Sequence, residues 1–167
     1  MQKSGFFNSS GGDRIYNAAD FASYFGKLVS NGIFYAAANN LQVTAASGMG
    51  VSVQAGAAWI NGYSYENTSP LTLTLTTADG VNPRIDRIVV RWSAINRSIT
   101  LAVITGSASA TPAVPALTRN NDVWELALAD IAVAKGAVSI ATGNITDTRL
   151  NTSLCGLVNS LVSAVYE

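Results

Sequence analysis

Short runs of alternating apolar and polar residues, separated by turn sequences, most constrain how this chain of 167 residues can fold. The alternation begins near residue 41 and is clearest over residues 71–76, where leucine and threonine take turns. A period of two places the apolar side chains on one face of a β-strand. Turn residues recur at intervals of about 8–12 residues, as in domains built from short antiparallel strands. We therefore predict a mainly β fold, either an antiparallel β-sandwich or a barrel-like domain.

Individual strands follow from the same pattern. Residues 58–65 predict a hairpin, because Asn61-Gly62 is the preferred pair for a two-residue type I′ turn. Residues 85–94 predict a longer strand, and residues 106–117, with two prolines, a surface loop. Residues 124–131 suit either a helix or a strand, and turn residues at both ends favour a strand. We predict one further short strand over residues 137–140.

Two segments show helical spacing instead. Asn17 is a good N-cap, Asp20 suits the first turn, and an apolar stripe that includes Phe21 and Phe25 follows up to a stop at Asn31-Gly32. This pattern predicts a helix over residues 18–31.

Near the end of the chain, apolar residues recur at steps of four and three, which predicts a second helix over residues 150–166. This helix either packs on its own domain or starts a self-association bundle. The chain thus divides into a leader (1–16), a helix with a β-domain (17–149) and a C-terminal helical segment (150–167). The predicted oligomerisation residues are Leu150, Leu154, Leu157, Leu161 and Val165.

The residue inventory excludes several kinds of chemistry. The chain contains no histidine, which removes Ser-His-Asp and Cys-His catalysis and every His-ligated metal site. Cys155 is the single cysteine and has no partner for an internal disulfide. No phosphate-binding loop, dinucleotide fingerprint or nucleophile elbow is present. We expect no catalysis, no cofactor and no metal.

The charge pattern limits the partners. Ten Lys and Arg balance ten Asp and Glu, which argues against a nucleic-acid binder with a basic face. No apolar run reaches the roughly 20 residues of a membrane-spanning helix, and the first residues lack the apolar stretch of a secretory signal. We expect synthesis in the cytoplasm, with neither nucleic acid nor a membrane as partner. Arg84, Arg87, Arg91 and Arg97 predict a salt-bridged or subunit-contact face.

Four stretches, in order, carry a family resemblance: residues 4–21, 53–63, 84–91 and 145–149. Together they resemble the N-terminal region of baseplate or tail-fibre proteins of phages and prophages of Gram-positive bacteria. The resemblance implies a non-catalytic β-rich module of the virion, usually trimeric, that attaches a receptor-binding fibre to other baseplate or tail proteins. It also implies that a helical stalk and a receptor-binding region follow.

The leader holds the residues that we expect to dock to the tail: Phe6, Phe7, Arg14 and Tyr16. Large apolar groups in a Gly/Ser-rich segment have little local core to join. The other interpretation is that these aromatic side chains fold back into the β-domain.

A second functional hypothesis belongs to a different class. A carbohydrate-binding module that recognises host cell-wall polysaccharide would use aromatic side chains as stacking platforms. Its candidates are Tyr63, Tyr65 and Trp124.

Overall fold

The computed structural model describes residues 4–35 and 39–162. Within these ranges the chain forms one α-helix, ten β-strands and a 3-10 turn at Thr142–Asn144. The elements are α1 (Ala18–Phe25), β1 (Gly32–Ile33), β2 (Val43–Ala45), β3 (Gly50–Val53), β4 (Gly56–Ile60), β5 (Tyr63–Asn67), β6 (Leu71–Thr74), β7 (Arg84–Ser93), β8 (Ser98–Ile104), β9 (Val123–Val133) and β10 (Ile145–Asp147).

The strands form three antiparallel sheets, as the alternation predicts. Their strand orders are β1-β4-β5, β10-β9-β7-β8 and β2-β3-β6. One cluster of buried apolar side chains contains members from all three sheets, such as Ile60, Val51 and Ile88. The fold is therefore mainly β, with one shared core.

The hairpin predicted around Asn61-Gly62 is confirmed. Asn61 and Gly62 have φ values of 53° and 83°, the left-handed pair that a type I′ turn requires. The turn joins β4 to β5, with Ile60 opposite Tyr63. The strand predicted over residues 124–131 is also confirmed as part of β9, which lies between β7 and β10.

The helix predicted over residues 18–31 is too long, because α1 ends at Phe25. Its N-terminus is as predicted: the Asn17 side chain accepts hydrogen bonds from the first turn, and the Asp20 carboxylate accepts one from the Asn17 N–H. After Gly26 the backbone continues as turns and no longer as an α-helix. The Ser30 N–H then donates to the Asn159 carbonyl (2.9 Å). Pairing with a distant segment thus replaces the last helical turns.

The helix predicted over residues 150–166 is wrong for the described part, since residues 150–162 form turns and isolated β-bridges. Gly156, with φ 79°, interrupts the helical spacing, and the chain then runs extended along β1. The Val158 N–H donates to the Ile33 carbonyl (3.0 Å), and the Leu161 N–H donates to the Leu28 carbonyl (2.9 Å). The stripe of leucines is therefore not one helical face.

The short strand predicted over residues 137–140 is also absent. Gly136 turns the chain with φ 66°, and Ile140 is buried with one backbone hydrogen bond, to the Gly48 carbonyl. The edge of β9 is paired instead with β10, in a stretch that the sequence pattern indicates only as a polar exit. The more apolar segment therefore does not form the strand, and the polar one pairs with β9 along Ala129 to Ile131.

Candidate functional site

The leader folds into a closed loop on the surface. The Tyr16 hydroxyl accepts a hydrogen bond from the Phe7 N–H (2.9 Å) and donates one to the Phe7 carbonyl (3.2 Å). Inside the loop, the Asp13 carboxylate accepts from the Ser10 N–H (2.7 Å). Phe6 has φ 63°, which turns its ring toward the helix that follows. The loop therefore places the Phe6 ring against α1.

The Phe6 and Tyr16 rings adjoin side chains of α1, and Phe7 is joined to them by its backbone hydrogen bonds with the Tyr16 hydroxyl. The Phe6 ring lies 5.6 Å from Tyr16, 5.5 Å from Phe21 and 4.9 Å from Tyr24, measured between ring centroids. Tyr24 in turn contacts Phe25 at 5.6 Å. We call this set the aromatic surface. Its members are Phe6, Phe7, Tyr16, Phe21, Tyr24 and Phe25.

Most of the aromatic surface is open to solvent. Its phenylalanines and Tyr24 are between 41% and 59% exposed, with Phe7 the most exposed. The Arg14 guanidinium lies over the Phe7 ring, 5.3 Å from its centroid. The four predicted docking residues thus lie together, with the Phe6 ring packed on α1, and none of them is in the core of the β-domain.

Phe21 and Phe25, which belong to the apolar stripe of the predicted helix, do not form the buried face of α1. Of the α1 residues, only Ala22 is buried. Ala22 lies against the turn at Gly62, and Gly26 approaches the same turn, so the small residues form the packing side of the helix. Two small residues four positions apart are the signal that could have revealed this orientation.

A second feature is a cleft between β5 and the β7–β8 hairpin, with a volume of about 380 Å³. Tyr63 and Trp92 line it, with ring centroids 5.9 Å apart and planes inclined at 34°. Arg97, Ser98 and Ile99 also line it, as does Ala18 at the start of α1. We call it the Tyr63–Trp92 cleft. Tyr63 is a predicted glycan-binding residue, whereas Trp92 is not among the candidates that the sequence indicates.

The other two predicted glycan-binding residues do not line this cleft. Tyr65 packs against the core, and burial raises the pKa of its hydroxyl. Trp124 lies opposite Trp92 on the neighbouring strand and also packs against the core. The Arg119 guanidinium covers the Trp124 ring at 5.7 Å. The structure therefore does not bring Tyr63, Tyr65 and Trp124 together as one surface.

Three of the four clustered arginines form ion pairs inside the protein. Arg84 pairs with Asp86 at 3.0 Å, Arg87 with Asp130 at 2.6 Å and Arg91 with Glu125 at 2.7 Å. Each pair has further hydrogen bonds. The Glu125 carboxylate accepts from the Thr118 N–H (2.6 Å), and the Arg87 guanidinium donates to the Pro115 carbonyl (2.8 Å). These pairs fasten surrounding loops to the largest sheet.

The predicted oligomerisation residues are scattered. Leu150 is 69% exposed and Leu161 is 42% exposed, whereas Leu157 packs against the core and Leu154 is half-buried. Val165 lies outside the described residues.

The remaining chemistry is sparse. Burial raises the pKa of the Cys155 thiol to about 12, so this thiol is neutral at physiological pH. Residues 4–35 and 39–162 contain no cluster of three acidic or sulfur ligands for a metal ion. In the same ranges no helix is long and apolar enough to span a bilayer.

No protein-family model, no curated protein and no solved structure matches this sequence.

Proposed function

We propose that this protein is a non-catalytic structural module of a phage tail or baseplate, which attaches a receptor-binding fibre and assembles as a homotrimer in the virion. The observation that carries the proposal is the aromatic surface, in which five rings from the leader and α1 adjoin, Phe7 lies beside Tyr16, and all but the half-buried Tyr16 are exposed. The ordered resemblance of four sequence stretches to tail proteins supports the biological setting.

The aromatic surface has the properties of a docking site. Single exposed apolar residues are ordinary, but contiguous apolar patches mark interaction sites. Burying the exposed half of one such ring stabilises a complex by about 1 kcal/mol, roughly half the value for complete burial of a phenylalanine. Arg14 adds a cation beside Phe7, and arginine next to aromatic residues is typical of the strongest interface contacts. We infer that another tail protein covers this surface in the assembled particle.

The state of the acidic residues supports a role without catalysis. Asp86 and Glu125 are buried, and each carboxylate is held by an arginine and by a backbone N–H. Asp130 is held by Arg87 on two oxygens. A general acid or base needs a proton that it can exchange with a substrate, and these carboxylates are engaged in holding the fold together.

The scaffold is part of the same proposal. The three sheets share one core, and we infer that they pack face to face as a β-sandwich with the aromatic surface outside it. A rigid core under a docking surface lowers the conformational cost of association.

The proposal is tested by recovery of the tagged chain with phage tail particles after density-gradient sedimentation. Phe7→Ala and Phe21→Ala each remove an exposed ring. We expect each substitution to reduce recovery about tenfold, the effect of losing about 1.4 kcal/mol of binding free energy. Val138→Ala is the matched control, because Val138 is 83% exposed and far from the aromatic surface in the sequence.

The thermal unfolding midpoints of these variants should stay close to that of the parent chain, since the rings are largely exposed. Recovery that is equal for the Phe7→Ala, Phe21→Ala and Val138→Ala chains would contradict the proposal.

A further inference from the structure

The Tyr63–Trp92 cleft exposes part of two half-buried aromatic side chains, of which Trp92 also packs against the core, and it has unused polar groups. Within the described residues, neither the Tyr63 hydroxyl nor the Trp92 indole N–H has a hydrogen-bond partner in the protein. The indole N–H groups of Trp59 and Trp124 are buried, whereas that of Trp92 is not. A ligand in the cleft therefore meets a donor and a hydroxyl at the edges of the two rings.

The charge in the cleft has one sign. Arg97 is its only charged lining residue. Arg84, Arg87, Arg91 and Arg149 each form an ion pair, but in the part of the chain described here Arg97 has none. The cleft thus offers an uncompensated cation.

The position of Arg97 strengthens this point. Arg97 lies in the turn between β7 and β8 with φ 50°, in the left-handed region. Glycine and asparagine adopt this conformation at lower cost, so an arginine here is not selected by the turn geometry. The turn holds the base of the Arg97 side chain at the cleft entrance.

The size and shape of the cleft limit the ligand. Its volume of about 380 Å³ lies near the lower end of the range for small-molecule sites. The ring planes are inclined at 34°, so they do not form the parallel-sided slot that would hold a planar base between them. One face of a pyranose ring is formed by C–H groups, which pack on an aromatic ring while the hydroxyl groups reach donors at the rim.

We propose that the Tyr63–Trp92 cleft binds a pyranose sugar that carries an anionic group, either a carboxylate or a phosphate. Tyr63 and Trp92 contact the apolar face of the sugar, and the Arg97 guanidinium binds the anionic group. This site is separate from the aromatic surface and does not depend on the docking function proposed above.

The test is NMR of the full-length, ¹⁵N-labelled chain. Its three tryptophans give three indole N–H signals, and Trp92→Phe identifies the one from Trp92. The probes are methyl β-glucuronide, glucose 6-phosphate, methyl β-glucoside and AMP, each titrated into the millimolar range. We expect saturable shifts of the Trp92 signal with one or both anionic sugars, and binding of the neutral glucoside about tenfold weaker.

Two variants separate the roles of charge and stacking. Arg97→Gln should weaken binding of the anionic sugar about tenfold and leave the glucoside unchanged. Tyr63→Ala should weaken both, and Arg14→Gln, which removes an arginine outside the cleft, should change neither. The rest of the spectrum verifies that each variant is folded.

The two anionic sugars distinguish a carboxylate ligand from a phosphate ligand. An unshifted Trp92 signal with every sugar overturns the proposal, as does equal binding of glucoside and glucuronide. Preferential binding of AMP also overturns it, in favour of a nucleotide site.

Discussion

At the scale of single residues, one arginine stabilises a strained stretch of backbone far away in the sequence. Asn40 and Leu41 have φ values of 58° and 59°, a conformation that costs a residue with a side chain about 1–2 kcal/mol. Leu41 is completely buried, and the Arg149 guanidinium donates to the carbonyls of Asn39 (2.9 Å) and Asn40 (3.0 Å). Asp147 holds the same guanidinium through both carboxylate oxygens.

The Asp147–Arg149 pair makes stability depend on pH. The hydrogen bond from Arg149 lowers the pKa of Asp147, so the folded state prefers the ionised carboxylate more than the unfolded state does. The resulting stability is present at neutral pH and is lost as the pH falls below about 4, through the lowered pKa. Because the Asp147 side chain is half exposed, we expect a contribution of only about 0.5–1 kcal/mol.

Asp147→Asn should therefore lower the free energy of unfolding at pH 7 and reduce its further loss in acid. Urea unfolding at neutral and acidic pH measures both effects. Asp122→Asn is the control, since Asp122 is exposed and forms no ion pair in the described residues. Parallel pH profiles for the parent and Asp147→Asn chains would disprove this linkage.

At the scale of elements, α1 is held by the turn between β4 and β5. A Cβ on Gly62 would clash with the main chain of Ala22, so only glycine lets the turn approach the helix this closely. Asn31 reinforces the contact by accepting a hydrogen bond from the Asn61 N–H (2.7 Å), and the Phe25 ring meets Trp59 edge-on. Gly62 thus serves the turn geometry and the helix contact together.

Gly62→Ala should be more destabilising than its positive φ alone explains. Gly136 is the matched control, because it has φ 66° and open space around its Cβ position. We expect Gly136→Ala to cost about 1–2 kcal/mol and Gly62→Ala about 1–3 kcal/mol more, the usual cost of overpacking. The comparison is made by urea unfolding of both variants. Equal losses would mean that the helix contact adds no energetic constraint.

At the scale of the whole molecule, the C-terminal segment closes the fold. The Ala127 N–H donates to the Leu154 carbonyl, and Arg119 donates to the carbonyls of Ser153 and Leu154. Gly32 provides the space in which the backbone of Leu157 passes. Residues 150–162 therefore pack as part of the β-domain, whereas the sequence pattern predicts a separate helical segment from residue 150 onward.

Leu157 and Leu161 test this integration. Leu157→Ala removes a side chain packed against the core and should lower the free energy of unfolding by about 1–3 kcal/mol. Leu161→Ala changes an exposed side chain and should stay within about 0.5 kcal/mol of the parent. Chemical unfolding of the two variants measures the difference, and comparable losses would contradict it.

The proposed trimer is a property of the full chain. Light scattering behind a sizing column, at several concentrations, should give three times the 17.4 kDa of the chain. Deleting residues 150–167 is not a clean test, because the deletion also removes the contacts of Leu154 and Leu157 with the domain. A folded monomer at every concentration would remove the trimer from the proposal and favour the carbohydrate-binding function.

Features that depend on neighbours along the chain can be predicted from the amino-acid sequence alone. The alternation located most strands, Asn61-Gly62 located the hairpin, and Asn17 located the start of α1. The arginines and acids of the sheet were also recognisable as partners, because β7 carries several arginines and β9 supplies acidic residues. In each case the information lies within a few residues or on adjacent strands.

The ends of the helical segments, and the choice of which aromatic side chains stay exposed, depend on contacts between distant parts of the chain. Residues 28–33 and 156–161 both have helical spacing, yet their backbone groups bond to each other across about 130 positions of sequence. The spacing of apolar residues shows which side chains can share a buried face. It does not show which distant backbone groups form hydrogen bonds with each N–H and C=O. For the same reason the small residues Ala22 and Gly62, and not the larger stripe of Phe21 and Phe25, determined the packed face of α1.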